Sequence, residues 1–306
     1  MRLLIGLLIF STSTVAANWQ LRMDNDILLR DDGDYSNGLS LRRASHSSLH
    51  AQPSAIRSQG QLLPGSEQRI QQWALEHKMW TPNEIAISTP QPDDRPYAAT
   101  LSIRSMLSSQ HNNNHYTNWI EAGILGPSAQ GERAQRHVHM WTDSSEPLGW
   151  SHQVQDTLLL NVGMEGDFPL WRQPNHLLSV QAAAEWGTTS QYLQVGTSAM
   201  WGKGIEPGIL SSVYGLEPRF RYATNRYFLY AALRQRYVLE DKTVTGSVNY
   251  ASRVDLTPHQ TLLLSGLYIQ YQQWATDISM RYGHSTFRPS SDKYNGYASL
   301  ALLWFY

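Results

Sequence analysis

The chain has 306 residues with 24 lysines and arginines against 25 aspartates and glutamates, a balance that excludes nucleic-acid binding through a broad basic face. It contains no cysteine, so the fold is held together without disulfides. Its 11 Trp and 16 Tyr against only 6 Phe favour aromatics with a polar handle, which collect at membrane interfaces.

Residues 1–17 read as a secretory signal: Arg2 gives the positive start, Leu3 to Phe10 the apolar centre, and Val15-Ala16-Ala17 a small-residue cleavage site. The mature domain is then residues 18–306, beginning near Asn18 outside the cytoplasm. No later stretch approaches the roughly 18 apolar residues of a membrane-spanning helix. A transmembrane β-barrel reconciles export, aromatic bias and missing apolar runs, because its signature is alternation rather than continuous hydrophobicity.

From Asn18 that alternation begins. Trp19, Leu21 and Met23 fall on one face, and Gln20, Arg22, Asp24 and Asp26 on the other. The next run places Leu39 and Leu41 on one face and Ser36, Gly38, Ser40 and Arg42 on the other, so Ser36 is expected on the same side as Asp26. By the same parity Asn25 points outward unless a bulge turns it. Asp24-Asn25-Asp26 and Asp34-Tyr35-Ser36-Asn37-Gly38 thus face each other across one turn, gathering carboxylate, amide and hydroxyl oxygens of the kind that hold a hard cation such as calcium.

Residues 47 to 69 are rich in Ser, Gln, Pro and Gly and read as a loop, with a helical piece possible over Glu67 to Glu76 before a strand ending at Met79-Trp80-Thr81. A turn-rich segment through Asp93-Asp94-Arg95-Pro96 precedes a strand through Tyr97, Ala99, Leu101 and Ile103, and another covers about Asn118 to Leu125. The segment from Gly126-Pro127 to Trp150 forms a long outer loop, in which Glu132 to Trp141 is expected to form a short helix with Gln135 and His139 on one face. Beyond it, Leu178, Val180, Ala182, Ala184 and Trp186 alternate with Ser179, Gln181, Ala183 and Glu185. Trp274, Thr276, Ile278 and Met280 alternate likewise with Ala275, Asp277, Ser279 and Arg281. The count of such runs is roughly twelve to fourteen, an even number being the rule for bacterial single-chain barrels. The open point is whether Gly215 to Gln272 holds one long strand or two short ones. The fold class is therefore all-β, a single transmembrane antiparallel barrel with a short helix in an outer loop.

With a periplasmic start, the connections carrying Asp26 and Ser36, then Asp94-Arg95, then Gln135 and His139 all emerge at the outer end. In this order, Asn25-Asp26, Asp34-Tyr35-Ser36-Asn37-Gly38, Thr81-Pro82, Asp94-Arg95-Pro96-Tyr97, Gly126-Pro127, Gln135 through His139, and Gly149-Trp150 with Gln153 resemble the outer-membrane lipid A 3'-O-deacylases of LpxR type. The resemblance implies a twelve-stranded barrel in the bacterial outer membrane. It implies calcium-dependent removal of ester-linked acyl chains from the lipid A of lipopolysaccharide, with Asn25, Asp26, Ser36, Gln135 and His139 forming the site. A family lysine soon after the Thr-Pro pair has no counterpart between Pro82 and Arg95, and the family glutamate is matched only by Glu146, displaced by one place. On this reading Asp26, Asn25, Ser36 and Glu146 are the metal-ligand candidates, and His139, Asp26, Asn25 and Gln135 the catalytic ones.

The residues support ester hydrolysis in their own right. A bound cation carries the charge that develops on a carbonyl oxygen, and a histidine takes the proton of an attacking water. No Gly-x-Ser-x-Gly elbow is present, which favours water over serine as nucleophile. The partners expected are lipid A and the surrounding outer-membrane lipid, with the chain a monomer. The competing readings are a passive or catalytically degenerate barrel and a phospholipase.

Overall fold

Period-two alternation makes the wall. In the computed structural model, which describes residues 17–26, 34–48, 54–65, 68–142, 144–211, 215–216, 225–290 and 293–305, twelve antiparallel strands close into a barrel. They are β1 (Ala17–Asn25), β2 (Asp34–Ser48), β3 (Gln68–Thr81), β4 (Ala98–His111), β5 (Asn114–Leu125) and β6 (Thr157–Gln173). The second half supplies β7 (His176–Gly187), β8 (Ser190–Lys203), β9 (Arg226–Asp241), β10 (His259–Tyr271), β11 (Trp274–His284) and β12 (Tyr294–Trp304). Each strand pairs with its sequence neighbours, and β1 closes the ring against β12, from Trp19 opposite Trp304 to Asn25 opposite Ala298. Closure leaves no unpaired sheet edge in the lipid, where exposed backbone groups are costly. The expected signal peptide lies outside the described residues except for Ala17, which opens β1.

Exposure follows the alternation. On β7, Ser179 and Gln181 are fully buried in the lumen while Trp186 is 62% exposed on the outer face. Asp277 on β11 is likewise buried between the exposed Trp274 and Ile278. Where Gly215 to Gln272 left one long strand or two short ones, the described residues contribute two long strands to the barrel, β9 and β10, and the barrel count settles at twelve. Trp19, Trp304 and Trp274 stand in one row at the terminal end, with neighbouring ring centroids 6.0 Å apart, as expected of an interfacial aromatic girdle.

The lumen is filled rather than open along its length. At the terminal end Ile205, Ile209 and Leu210, from the β8–β9 connection, pack against Phe228, Tyr268 and Phe305. Towards the loop end Glu76 accepts from Arg42 (3.0 Å) and Lys78 (2.8 Å) and forms an ion pair with Arg104 (3.0 Å), which also reaches Glu121 (2.9 Å). Sharing carboxylates among several cations is how buried charges offset their desolvation. A cavity of about 300 Å³ remains among these side chains.

Two helices lie against the outside of the wall. The region expected to be a loop, residues 47 to 69, instead carries the end of β2 and helix α1 (Ser54–Gln61), while the residues 67 to 76 considered for a helix belong to β3 from Gln68 onward. On β3, β4 and β5, Gln71, Ser105 and Asn118 fall at outward-facing parity, where lipid contact would strand their polar groups. Helix α1 covers them: Gln59 Nε2 donates to Ser105 O (3.2 Å) and Asn118 Oδ1 (3.1 Å), and Asn118 Nδ2 donates to Gln59 O (2.8 Å). The second helix, α2 (Gly131–Thr142), matches the expected Glu132 to Trp141 and belongs to the candidate site.

Candidate active site at the outer edge of the wall

Strand polarity places the β1–β2, β3–β4 and β5–β6 connections at the end opposite the termini, as the motif order requires. The first contributes through a bulge. Between β2 and β3, Tyr35 pairs with Trp80 and Asn37 with Met79, so Ser36 is the extra residue. The bulge turns Tyr35 into the lumen, where its hydroxyl donates to Asp24 Oδ2 (2.9 Å) and its ring lies 5.5 Å from that of Trp80.

Ser36 consequently leaves the lumen face. The expectation that it shares a side with Asp24 and Asp26 is corrected: its Oγ meets Thr81 Oγ1 at 2.6 Å, and its carbonyl accepts from Asn25 Nδ2 at 3.3 Å. Asn25 keeps the outward direction that parity assigned, because the bulge lies opposite it on β2 and not in β1. Asp26, one residue past β1, is buried at the rim and is not among the residues that line the lumen cavity.

The β5–β6 connection straddles the wall. On the outer side, Ala129 and Trp150 pack with Met79 of β3, with Tyr97 just before β4 and with Ala99 of β4, and Ala134 of α2 lies against them. On the inner side, Val154 packs with Ala98, Leu125 and Val248. The approach of α2 is close because Gly131 allows it: a Cβ there would stand 2.5 Å from the Ala99 methyl and 2.6 Å from the Trp150 ring. Gly126, at φ 116°, makes the turn that starts the crossing and donates its N–H to Ala99 O (2.9 Å). Below the connection, His77 Nε2 donates to Ala129 O (3.0 Å), an outer-face contact that sequence did not single out.

On α2, Gln135 and His139 are one turn apart as expected, and each is oriented by a different partner. Gln135 is buried and its Oε1 accepts from the indole N–H of fully buried Trp150 (2.7 Å). An indole only donates, so the Gln135 amide oxygen is held and its NH2 group is presented away from Trp150. His139 Nδ1 lies 2.6 Å from Ser145 O. A carbonyl only accepts, so Nδ1 carries the proton and Nε2 is the basic nitrogen. Glu146 is exposed and paired with Arg136, which also reaches Glu132 (3.0 Å). The Glu132 hydrogen bond first, then that of Glu146, holds the Arg136 guanidinium above its ordinary pKa.

Asp94 and Arg95 brace this end of the molecule. Asp94 accepts from the backbone N–H of Asn83 (2.9 Å) and of Arg95 (2.7 Å). The buried Arg95 crosses the mouth to Thr243, donating to its Oγ1 (3.2 Å) and O (3.3 Å). The neighbouring Asp93 pairs with Arg253 and its carboxyl is held below the usual range by that hydrogen bond. Tyr97 donates to Ile85 O (3.0 Å), and burial pushes its phenol up to about 12.

The structure therefore gathers Asn25, Ser36 and Thr81 on the outer side of the rim. It sets Gln135 and His139 on a helix packed against the same side of β3 and β4. The nearest preceding lysine, Lys78, points into the lumen at Glu76 and does not substitute for the missing family lysine. Thr81 and Trp150 belong to motifs visible in the sequence, but their partners depend on the bulge and on the loop crossing. Asp26, Asn25 and Ser36 carry carboxylate, amide and hydroxyl oxygens, donor types that suit a hard cation. Among the described residues no three His, Cys, Asp or Glu side chains converge as a metal cluster, so a cation here would depend on neutral oxygens as well as on Asp26.

Comparison with known families matches outer membrane protein LpxR over residues 3–306. Among solved structures, LpxR from Salmonella typhimurium matches with a TM-score of 0.76 at 18% identity, covering 94% of this chain and 100% of that one. The β domain of the Bordetella autotransporter BrkA gives 0.47 at 10% identity, covering 95% and 98%. The translocator domain of autotransporter NalP from Neisseria meningitidis gives 0.42 at 9%, covering 97% and 90%. No curated protein matches in sequence. With a family match along nearly its whole length and a closed barrel of twelve strands, the chain belongs to the LpxR family and is an integral protein of the bacterial outer membrane.

Proposed function

We propose that the protein is a calcium-dependent lipid A deacylase that hydrolyses 3'-O-linked acyl esters at the outer leaflet. The observation that carries this reading is the position of the candidate residues. Asn25 and Ser36 face outward at the rim, and α2 lies on the outside of the wall, so a lipid substrate reaches them sideways from the membrane. Asp26, with Asn25 and Ser36, would hold the calcium ion, which when bound supplies Lewis-acid stabilisation of the ester carbonyl oxygen.

The protein's own groups supply the rest. His139, protonated at Nδ1 against Ser145, offers Nε2 to take a proton from the attacking water. Gln135, its oxygen held by Trp150, offers its NH2 group to the oxygen on which negative charge develops. The proton on Nε2 then passes to the leaving sugar oxygen.

Mass spectra of lipid A from cells with and without the protein, grown with calcium, test this directly. Loss of one ester-linked acyl mass in the expressing cells is expected, and unchanged acylation contradicts the assignment. Release of fatty acid from phospholipid vesicles but not from lipid A would move the substrate to phospholipid.

A further inference from the structure

Past the end of α2 the chain doubles back, and the returning segment 144–148 is fixed at several points. Ser144 N–H donates to His139 O (3.2 Å), Ser145 O accepts from His139 Nδ1 (2.6 Å), and Leu148 N–H donates to Ile85 O (2.9 Å) in the β3–β4 connection. Between them, Glu146 is paired with Arg136. Positions 136 and 139 are three apart on the helix and therefore neighbours on one face, while 145 and 146 are adjacent in the returning segment. The two contacts are thus a matched pair: the side chain of one residue is anchored beside the carbonyl that its predecessor turns to the imidazole.

We propose that the Arg136–Glu146 pair is a positioning clamp that holds the Ser145 carbonyl against His139 and so fixes the imidazole as its Nδ1–H tautomer. Glu146 then acts through Arg136 and not as a ligand of the cation, and the group that orients the base is a main-chain carbonyl. Arg136 is additionally steadied by Glu132 one turn earlier (3.0 Å), which keeps the guanidinium at the helix surface where Glu146 meets it. Both partners are largely exposed, with side chains at 40% and 63% accessibility, so the pair adds little to global stability and its effect is local. The carbonyl has no proton of its own to offer, so it selects one tautomer without competing for the proton that Nε2 takes up.

The catalytic arm of the test rests on the hydrolase reading; the spectroscopic arm does not. Arg136→Ala and Glu146→Ala, made in the full chain, are each expected to lower kcat on lipid A by roughly ten- to a hundredfold with KM unchanged, as follows from a displaced base. The charge-swapped double variant Arg136→Glu/Glu146→Arg is expected to restore most of that loss, which no ligand role for Glu146 permits because an arginine does not bind a cation. In parallel, 15N spectra of His139 in the solubilised protein should show Nδ1–H in the native chain, a tautomer mixture in each single variant, and Nδ1–H again in the swap. Native kcat in Glu146→Ala, or single-variant losses that the swap does not recover, would overturn the clamp. If the native chain leaves lipid A intact, an unchanged His139 tautomer in Glu146→Ala overturns it, and a shifted one supports it independently of substrate.

Discussion

Ser36 and Trp150 show how single residues decide what the site contains. One extra residue in β2 reverses the faces of Tyr35 and Ser36, moving a hydroxyl to the outer rim and a phenol to Asp24 in the lumen. Strand parity read from the sequence placed Asn25 correctly and Ser36 wrongly for one reason. Parity survives only where pairing is regular, and a bulge is settled by the register against β3, which local alternation does not encode. Gln135 and His139 were legible as a helical pair from their spacing, but the groups that orient them, Trp150 and Ser145, come from a chain reversal. Replacing Trp150 with Phe keeps the ring and removes the N–H held by Gln135, at a cost of about 1 kcal/mol in the orientation of that amide. The expected result is a roughly five- to tenfold lower rate of lipid A hydrolysis with the barrel still assembled, measured by fatty-acid release.

At the level of elements, the wall strands were readable and the helices only partly so. The runs 178–186 and 274–280 show clean alternation because each contacts lumen on one face and lipid on the other. Helix α2 was anticipated within one residue at each end, because 132–141 contains no glycine or proline. Helix α1 was not, since Ser54–Gln61 is only eight residues long and contains Gly60, and it is held by tertiary hydrogen bonds of Gln59 to polar groups on the outer wall. The position of α2 depends on the bare backbone of Gly131 against Ala99 and Trp150. Gly131→Val is expected to push the helix off β4 and cut activity by about a hundredfold, given how steeply a displaced catalytic group loses rate. Limited proteolysis should show faster cleavage between 131 and 142 while the barrel resists.

At the scale of the whole molecule, side chains of the described residues occupy much of the barrel interior. Ile205, Ile209 and Leu210 pack at the terminal end of the lumen, the Glu76 and Arg104 network lies towards the loop end, and Val154 and Val248 pack inside the mouth. Across that mouth, Arg95 reaches Thr243, Arg253 pairs with Asp93, and His152 donates to Asn249 Oδ1 (3.0 Å). In planar bilayers the protein is accordingly expected to give no unitary conductance, and steady porin-sized steps would contradict a filled lumen. Barrel closure also explains why the candidate site cannot exist in the first hairpin alone: Asp26 follows β1 and Ser36 lies in β2, whereas His139 arrives after β5.

The most direct measurement is fatty-acid release from purified lipid A by the native chain and by His139→Ala and Asp26→Ala, with and without calcium, followed by mass spectrometry. The native protein with calcium should remove an ester-linked acyl chain. Each variant should fold to the same heat-modifiable barrel and fall by at least about a hundredfold, the usual contribution of a general base. Undiminished release by His139→Ala, or no release by the native chain with calcium present, would contradict a site built from His139 and Asp26 at the outer edge of the wall.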